Sequence, residues 1–250
     1  MTKLVLSNAV DFKKSIDAIS VLIDEAEFLI GKEGLSLKAT DPSQISMLDF
    51  KLDKKAFKEY DVEKETKIGV DLSYLSQIMN RSKPKDELTL SLDETKSRME
   101  LIFKGDSTRR FSIPLIDISS SELPSPKIDF DAELKMNANL IQDGLKDAAL
   151  VSTHVTLGVT GKKFLVKATS SKGESNNEII SKEDKGLKEL NAKKECYSMF
   201  PLDYLQDMMK SASSDTIVEM NLKSNAPVRI SYSIGKASIT YFLAPRIETS

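Results

Sequence analysis

The stretch Asp71-Leu-Ser-Tyr-Leu-Ser-Gln-Ile-Met79 returns, varied, as Pro201-Leu-Asp-Tyr-Leu-Gln-Asp-Met-Met209. Leu72, Tyr74, Leu75 and Met79 recur as Leu202, Tyr204, Leu205 and Met209, a shift of 130 residues. Leu37-Lys-Ala-Thr40 recurs as Val166-Lys-Ala-Thr169 at a shift of 129, and Phe111-Ser-Ile-Pro114 answers to Tyr241-Phe-Leu-Ala244. The helical stripe near Val10 has its counterpart near Asn139. Matches that keep their order at nearly one offset indicate two copies of one unit.

Outward from that repeat, short alternating segments dominate. Ile45, Met47, Phe50 and Leu52 fall roughly every second residue, and segments 88–92, 99–103, 155–157, 164–166, 217–222 and 228–232 behave alike. Period-two patterning predicts half-buried strands, separated by turn signals such as Gly31-Lys-Glu-Gly34 and Ser224-Asn-Ala-Pro227. Four segments take a helical period instead. The first, about Val10–Ile23, aligns Phe12, Ile16, Ile19 and Ile23; the second, about Leu72–Ser82, aligns Leu72, Leu75, Ile78 and Met79. The third, about Asn139–Leu150, aligns Leu140, Ile141, Leu145, Ala148 and Ala149; the fourth, about Leu202–Ser211, aligns Leu202, Leu205, Met208 and Met209. Each stripe should lie on a sheet and leave the opposite helix face in solvent. The fold class expected is α+β: two topologically similar strand-rich domains with two short helices each. The boundaries expected are 1–116, a connector over 117–130, and 131–250. The connector carries two prolines and a serine run, but also the apolar Leu123, Ile128 and Phe130.

Composition narrows the chemistry. The 250 residues are 40% hydrophobic and 30% charged, with 36 basic against 38 acidic side chains and a net charge of -2. That is a folding composition, with no apolar run long enough for a membrane helix and no apolar leader at Met1–Leu6. One cysteine, Cys196, excludes an intrachain disulfide, and one histidine, His154, removes most zinc and Ser-His-Asp chemistry. A soluble intracellular protein without metal or cofactor is expected, with His154 and Cys196 structural. Asp93 and Glu94 suggest a turn, and Gly161-Lys-Lys163 lacks the glycine spacing of a P-loop.

Gly34-Leu-Ser-Leu-Lys-Ala-Thr-Asp-Pro-Ser-Gln-Ile-Ser-Met47 resembles the signature loop and strand of the proliferating-cell-nuclear-antigen sliding clamps. Leu243-Ala-Pro-Arg-Ile-Glu248 is similar to their C-terminal ending, Pro114-Leu-Ile-Asp117 to the entry of their interdomain loop, and Leu145–Ser152 to their archaeal branch. The resemblance covers the whole chain. It implies the DNA clamp fold and a non-enzymatic processivity factor for DNA replication and repair. Three subunits would close head to tail around non-specific double-stranded DNA, with helices lining the hole. In an archaeon the place would be the cytoplasm or nucleoid.

The resemblance also assigns residues. Lys13, Lys14, Gln77, Asn80, Arg81, Lys83, Lys146 and Lys210 match DNA-facing positions. Basic groups there attract phosphates without reading sequence. The same helices carry Asp11, Asp17, Asp143, Asp147, Asp203 and Asp207, so grip on open DNA should be weak and enclosure should do the holding. Ring closure would set the strand around Thr108–Pro114 against a neighbour's strand around Asn177–Ser181, a heterologous interface that removes two sheet edges. Interface positions are Arg81, Lys83, Arg109, Arg110 and Phe111 on one side, and Asp143, Asp147, Glu178, Ile179 and Ile180 on the other. An ion-pair network from the four basic residues to Asp143 and Asp147 is expected. Partners would insert a short hydrophobic motif among Thr40, Gln44, Met47, Leu123, Ile128, Pro227, Tyr241, Phe242, Leu243, Ala244 and Pro245, although Phe242 and Leu243 equally suit strand core. Partners implied are DNA polymerase, the clamp loader, flap endonuclease and DNA ligase, with no membrane. A homotrimer is favoured over a subunit of a heterotrimeric or checkpoint-type clamp. A carboxylate-dependent hydrolase on a two-domain β scaffold is the alternative from another class.

Overall fold

The computed structural model describes residues 2–93, 95–118, 123–180 and 183–246. Glu94, connector residues 119–122, Ser181 and the Ile247-Glu248 end of the C-terminal motif lie outside the described residues. The first half runs β1 (Lys3–Leu6), α1 (Ala9–Ser20), β2 (Glu25–Gly31), β3 (Gly34–Thr40), β4 (Ser46–Asp53), β5 (Glu59–Asp61), β6 (Thr66–Asp71), α2 (Leu72–Met79), β7 (Glu87–Asp93), β8 (Arg98–Lys104) and β9 (Thr108–Pro114). The second runs β10 (Ala132–Asn137), α3 (Ala138–Ala149), β11 (His154–Thr160), β12 (Lys163–Ser170), β13 (Gly173–Ile180), β14 (Leu187–Ala192), β15 (Cys196–Pro201), α4 (Leu202–Lys210), β16 (Ile217–Leu222), β17 (Val228–Ile234) and β18 (Ala237–Leu243). The order of strands and helices is the same in both halves, apart from a 3-10 turn at Lys54–Ala56.

The described residues fall into two compact units: those within Met1–Pro42, Leu48–Pro124 and Ile234–Ile239, and those within Ser43–Met47, Ser125–Ser233 and Thr240–Ser250. In the first, β5-β1-β7-β8-β9 form one sheet and β4-β3-β2-β6 line up in another. The second repeats the plan with β14-β10-β16-β17-β18 and β13-β12-β11-β15. Neighbouring strands with a traced register are antiparallel, as short turns between alternating segments require.

The sheets of the first unit share one core with its helices. Leu4, Leu90 and Met99 from one sheet, Phe28, Leu35 and Ile68 from the other, and Phe12 and Leu75 from the helices surround a void of about 20 Å³. All four helical stripes face inward: Ile16, Ile19, Leu72, Met79, Ile141, Leu145, Leu205 and Met208 are at most 1% exposed. Burying each such side chain stabilises by roughly 1.5–3 kcal/mol. Helix ends account for the differences from expectation. α2 stops at Met79, continuing only as a tighter turn in which Arg81 N–H bonds Ile78 C=O, because Pro84 lies just ahead. In α3 the stripe ends at Ala148, and Ala149, assigned to it by period, is exposed.

Side chains cap the helices of the first repeat. Asn8 accepts from Val10 N–H at 3.0 Å and Asp71 from Tyr74 N–H at 2.9 Å. α3 and α4 have no side-chain cap; Ala138 N–H bonds Thr216 C=O and Leu202 N–H bonds Thr153 C=O instead. The connector leaves the first unit at β6, where Ile116 N–H bonds Gly69 C=O at 2.9 Å. A Cβ on residue 69 would stand 2.1 Å from the Ile116 carbonyl oxygen, so this close approach requires glycine.

Candidate functional site

Within each unit the two helices pack against each other. Ser76 Oγ lies 3.4 Å from Asp17 on the partner helix, and the Gln142 amide donates to the Met209 and Ala212 carbonyls, both at 2.9 Å. The predicted phosphate-facing groups stand on the solvent side, but they are not equivalent. Lys13, half-buried, is paired with Asp17 one turn along α1, and Lys146 with Asp143 at 2.9 Å. Lys14, Arg81, Lys83 and Lys210 are exposed and make no ion pair among the described residues, and Gln77 and Asn80 are exposed beside them. A paired lysine offers little net field, so the free cations are these four.

β9 is the outer strand of its sheet and β13 of its own, so each leaves main-chain groups unpaired on one side. Along β9 the side chains alternate. Arg109 turns inward over the Phe103 ring, 5.2 Å from its centroid, and its guanidinium holds the Asp86 carboxylate and the Arg81 carbonyl. Asp86 is 2% exposed, so this arginine is committed within its own chain, and the expected basic network reduces to Arg81, Lys83 and Arg110. Phe111 is half-buried, edge-on to Phe103.

On β13, Glu178 pairs with Lys163 at 2.6 Å, an ion pair that holds its carboxyl below the usual carboxylate range. Ile179 is 4% exposed, so its side chain belongs to the core and only its main chain can serve an edge contact; Ile180 is half-buried. Asp143 and Asp147 are exposed on α3, and Asn177 of β13 donates to Asp147 at 2.7 Å. Sequence reasoning missed Leu150, 80% exposed just past α3. Its position off the Ile141–Leu145–Ala148 stripe was the available signal.

The candidate partner residues divide by burial. In the second unit Ala244 N–H bonds Ile45 C=O at 2.8 Å, which draws the segment after β18 alongside Gln44 and Met47. Ser231 and Thr240 hydroxyls meet at 3.0 Å across the β17–β18 pair, so Pro227, before β17, lies at the same end as Ala244 and Pro245, after β18. Gln44, Pro227, Ala244, Pro245 and Ile128 keep exposed surface. Tyr241 and Leu243 are 0% exposed, so they are strand core and not groove wall; Phe242 and Met47 retain 8% each. Tyr241 packs on Tyr232, whose hydroxyl donates to the Met208 carbonyl at 2.7 Å. Thr40 and Leu123 belong to the first unit and are half-buried.

His154 opens β11, its ring against Thr153 and Arg246, and Cys196 is buried, which pushes its thiol up. Among the described residues no group of three His, Cys, Asp or Glu is arranged to hold a metal, and no helix is long and apolar enough to cross a membrane.

Comparison with known proteins accounts for the duplicated architecture. Residues 1–123 match the proliferating cell nuclear antigen N-terminal domain, and residues 125–247 its C-terminal domain. The DNA polymerase sliding clamp of Methanococcus maripaludis is 35% identical over 245 residues, covering 97% of this chain and 98% of that one. Among solved structures, PCNA from Thermococcus kodakaraensis superposes with a TM-score of 0.94 at 26% identity, covering 98% of this chain and all of that one. A. fulgidus PCNA, solved with the C-terminal region of FEN-1 bound, gives 0.90 at 27% identity with both chains fully covered. The chain belongs to the proliferating cell nuclear antigen family of DNA polymerase sliding clamps.

Proposed function

We propose that three copies of this chain close into a homotrimeric ring that encircles duplex DNA and tethers replication and repair enzymes to it. In this reading residues 1–116 and 131–250 are the clamp domains and 117–130 the connector. The ring acts inside the cell, without catalysis, cofactor or metal. The observation that carries the reading is the whole-chain likeness, in sequence and in fold, to archaeal sliding clamps.

The geometry supplies a physical account. Lys14, Arg81, Lys83 and Lys210 attract phosphates, with Gln77 and Asn80 as neutral donors. The helices themselves carry four lysines against six aspartates, so the attraction is weak and the ring slides. The outer strands β9 and β13 of adjacent subunits pair through their main chains, Arg110 and Phe111 facing Ile180 and Leu150, and Arg81 and Lys83 facing Asp143 and Asp147. Partners such as DNA polymerase, clamp loader, flap endonuclease and DNA ligase place a hydrophobic plug against Gln44, Ile128, Pro227, Ala244 and Pro245 of the second unit, with Met47 and Phe242 as its apolar surround. The FEN-1 segment on the A. fulgidus relative supports this mode of capture. Primer extension by an archaeal replicative polymerase with its clamp loader tests the reading. Product length on primed circular DNA should rise on adding this protein, and the gain should vanish when the template is linearised. An equal effect on linear DNA, or none on either, contradicts it.

A further inference from the structure

His154 is the only histidine in the chain, and it stands under the segment that follows β18. Arg246 Nη1 lies 3.3 Å from His154 Nδ1 and 3.1 Å from Nε2. The two ring nitrogens point in different directions, so an in-plane hydrogen bond to one leaves the other far away. Near-equal distances place Nη1 over the ring face, a cationic N–H directed at an aromatic ring. Thr153 Oγ1 sits 3.0 Å from Nδ1, and the Ser152 hydroxyl accepts from the main-chain His154 N–H at 3.2 Å, so the two residues before β11 contact the ring and its backbone. The segment above has few other ties: Arg246 N–H to Met199 C=O at 2.7 Å and Ala244 N–H to Ile45 C=O at 2.8 Å.

A neutral imidazole offers its face to the guanidinium; an imidazolium repels it. Among the described residues no carboxylate pairs or hydrogen-bonds with the ring. Pro201 of β15 lies opposite His154. On β12, Lys167 lies opposite Thr156, two residues along β11 from His154. We propose that His154 is a positioning residue for partner capture: in contact with Arg246 Nη1 it holds Ala244–Arg246 in the groove-forming position, and on protonation it lets that segment go. The sign follows from the charges. The contact is complete with a neutral ring and is opposed by charge repulsion once the ring carries a proton.

The clasp itself stands on the His154–Arg246 geometry; its effect on partners rests on the function proposed above. The first test therefore needs no partner. Amide hydrogen exchange at Ala244 and Arg246 in the whole protein, corrected for intrinsic rates, should lose about two- to fivefold protection from pH 8 to pH 5, the scale of one exposed cation–aromatic contact. His154→Gln should be flat across that range. Arg246→Ala should show at pH 8 the low protection at Ala244 that the unaltered protein shows at pH 5. Equal protection at both pH values, or the same pH dependence in His154→Gln, overturns the proposal. The second test uses the A. fulgidus FEN-1 C-terminal peptide as probe. Its affinity should fall by a similar factor at low pH in the unaltered protein and not in His154→Gln. A peptide that binds at neither pH refutes the docking mode, while the exchange experiment still decides the clasp; a peptide that binds equally at both overturns the positioning role.

Discussion

The Asn177 side chain donates a 2.7 Å hydrogen bond to the Asp147 carboxylate, fastening the outer strand β13 to the last turn of α3. Two kinds of edge are thereby joined, a row of unpaired main-chain groups and the acidic end of a helix. Substitutions separate their contributions. Asp147→Asn keeps an acceptor for Asn177 but removes the charge, whereas Asn177→Ala keeps the charge and frees the strand. If the ring is held by an ion pair to Asp147, Asp147→Asn weakens assembly several-fold and flattens its salt dependence, while Asn177→Ala weakens it without that flattening. Analytical ultracentrifugation over a salt series distinguishes the two. Unchanged assembly in both variants removes Asp147 from the interface.

Arg109 is expected to matter for folding first. Its removal strands the Asp86 carboxylate, 2% exposed, with the Lys83 N–H at 2.7 Å as its remaining donor in contact. Losing one partner of a buried pair costs roughly 3–5 kcal/mol, and because Arg109 keeps some solvent access the low end applies. Urea denaturation of Arg109→Ala should show a loss of about 3 kcal/mol, and Arg110→Ala, on the outward face of the same strand, close to none. Equal losses contradict the alternation described for β9.

The unpaired cations should dominate what contact with DNA there is. Charge reversal at Lys14 and Lys210 together should lower the salt slope of weak binding to a short labelled duplex by about two, near one per lost phosphate contact. Lys13→Ala, which removes a lysine already satisfied by Asp17, should leave the slope nearly unchanged. Fluorescence anisotropy across a salt series reads both.

Alkaline pH should unfold the protein through its buried phenols. Burial pushes Tyr60 and Tyr232 up to about 12, and burial next to Tyr232 raises Tyr241 well above the ordinary value. A group whose folded pKa is raised contributes stability that is complete below its unfolded pKa, near 10, and is lost as pH climbs through the folded value. Tyrosinate absorbance should therefore include a portion that rises only towards pH 12, together with loss of the circular dichroism signal. Full ionisation by pH 11 with structure intact is the opposing result.

Much of this architecture was legible because the chain states it twice. Leu72, Leu75 and Met79 return as Leu202, Leu205 and Met209, all buried, and both repeats fold as the same series of strands and helices. What the sequence could not supply is which neighbour each polar group finds. The Lys13–Asp17 pair could be read from its i,i+4 spacing, but pairs between distant segments could not. Arg109 and Arg110 alternate as any strand pair does, but Arg109 turns inward because Asp86 waits there, 23 residues earlier in the chain. At Tyr241–Leu243 the alternation breaks down altogether: three consecutive side chains are buried, which removes two of them from the expected groove. The contact of Arg246 with the His154 ring joins residues 92 apart, and no spacing rule announces it.

The central claim is that this chain closes a ring by itself, and the solution mass of the purified protein tests it most directly. Light scattering after size exclusion should give three times the 27.8 kDa of the chain, unchanged on dilution through the micromolar range. A mass of 27.8 kDa at micromolar concentration contradicts the homotrimer and turns the assignment to a ring completed by other chains.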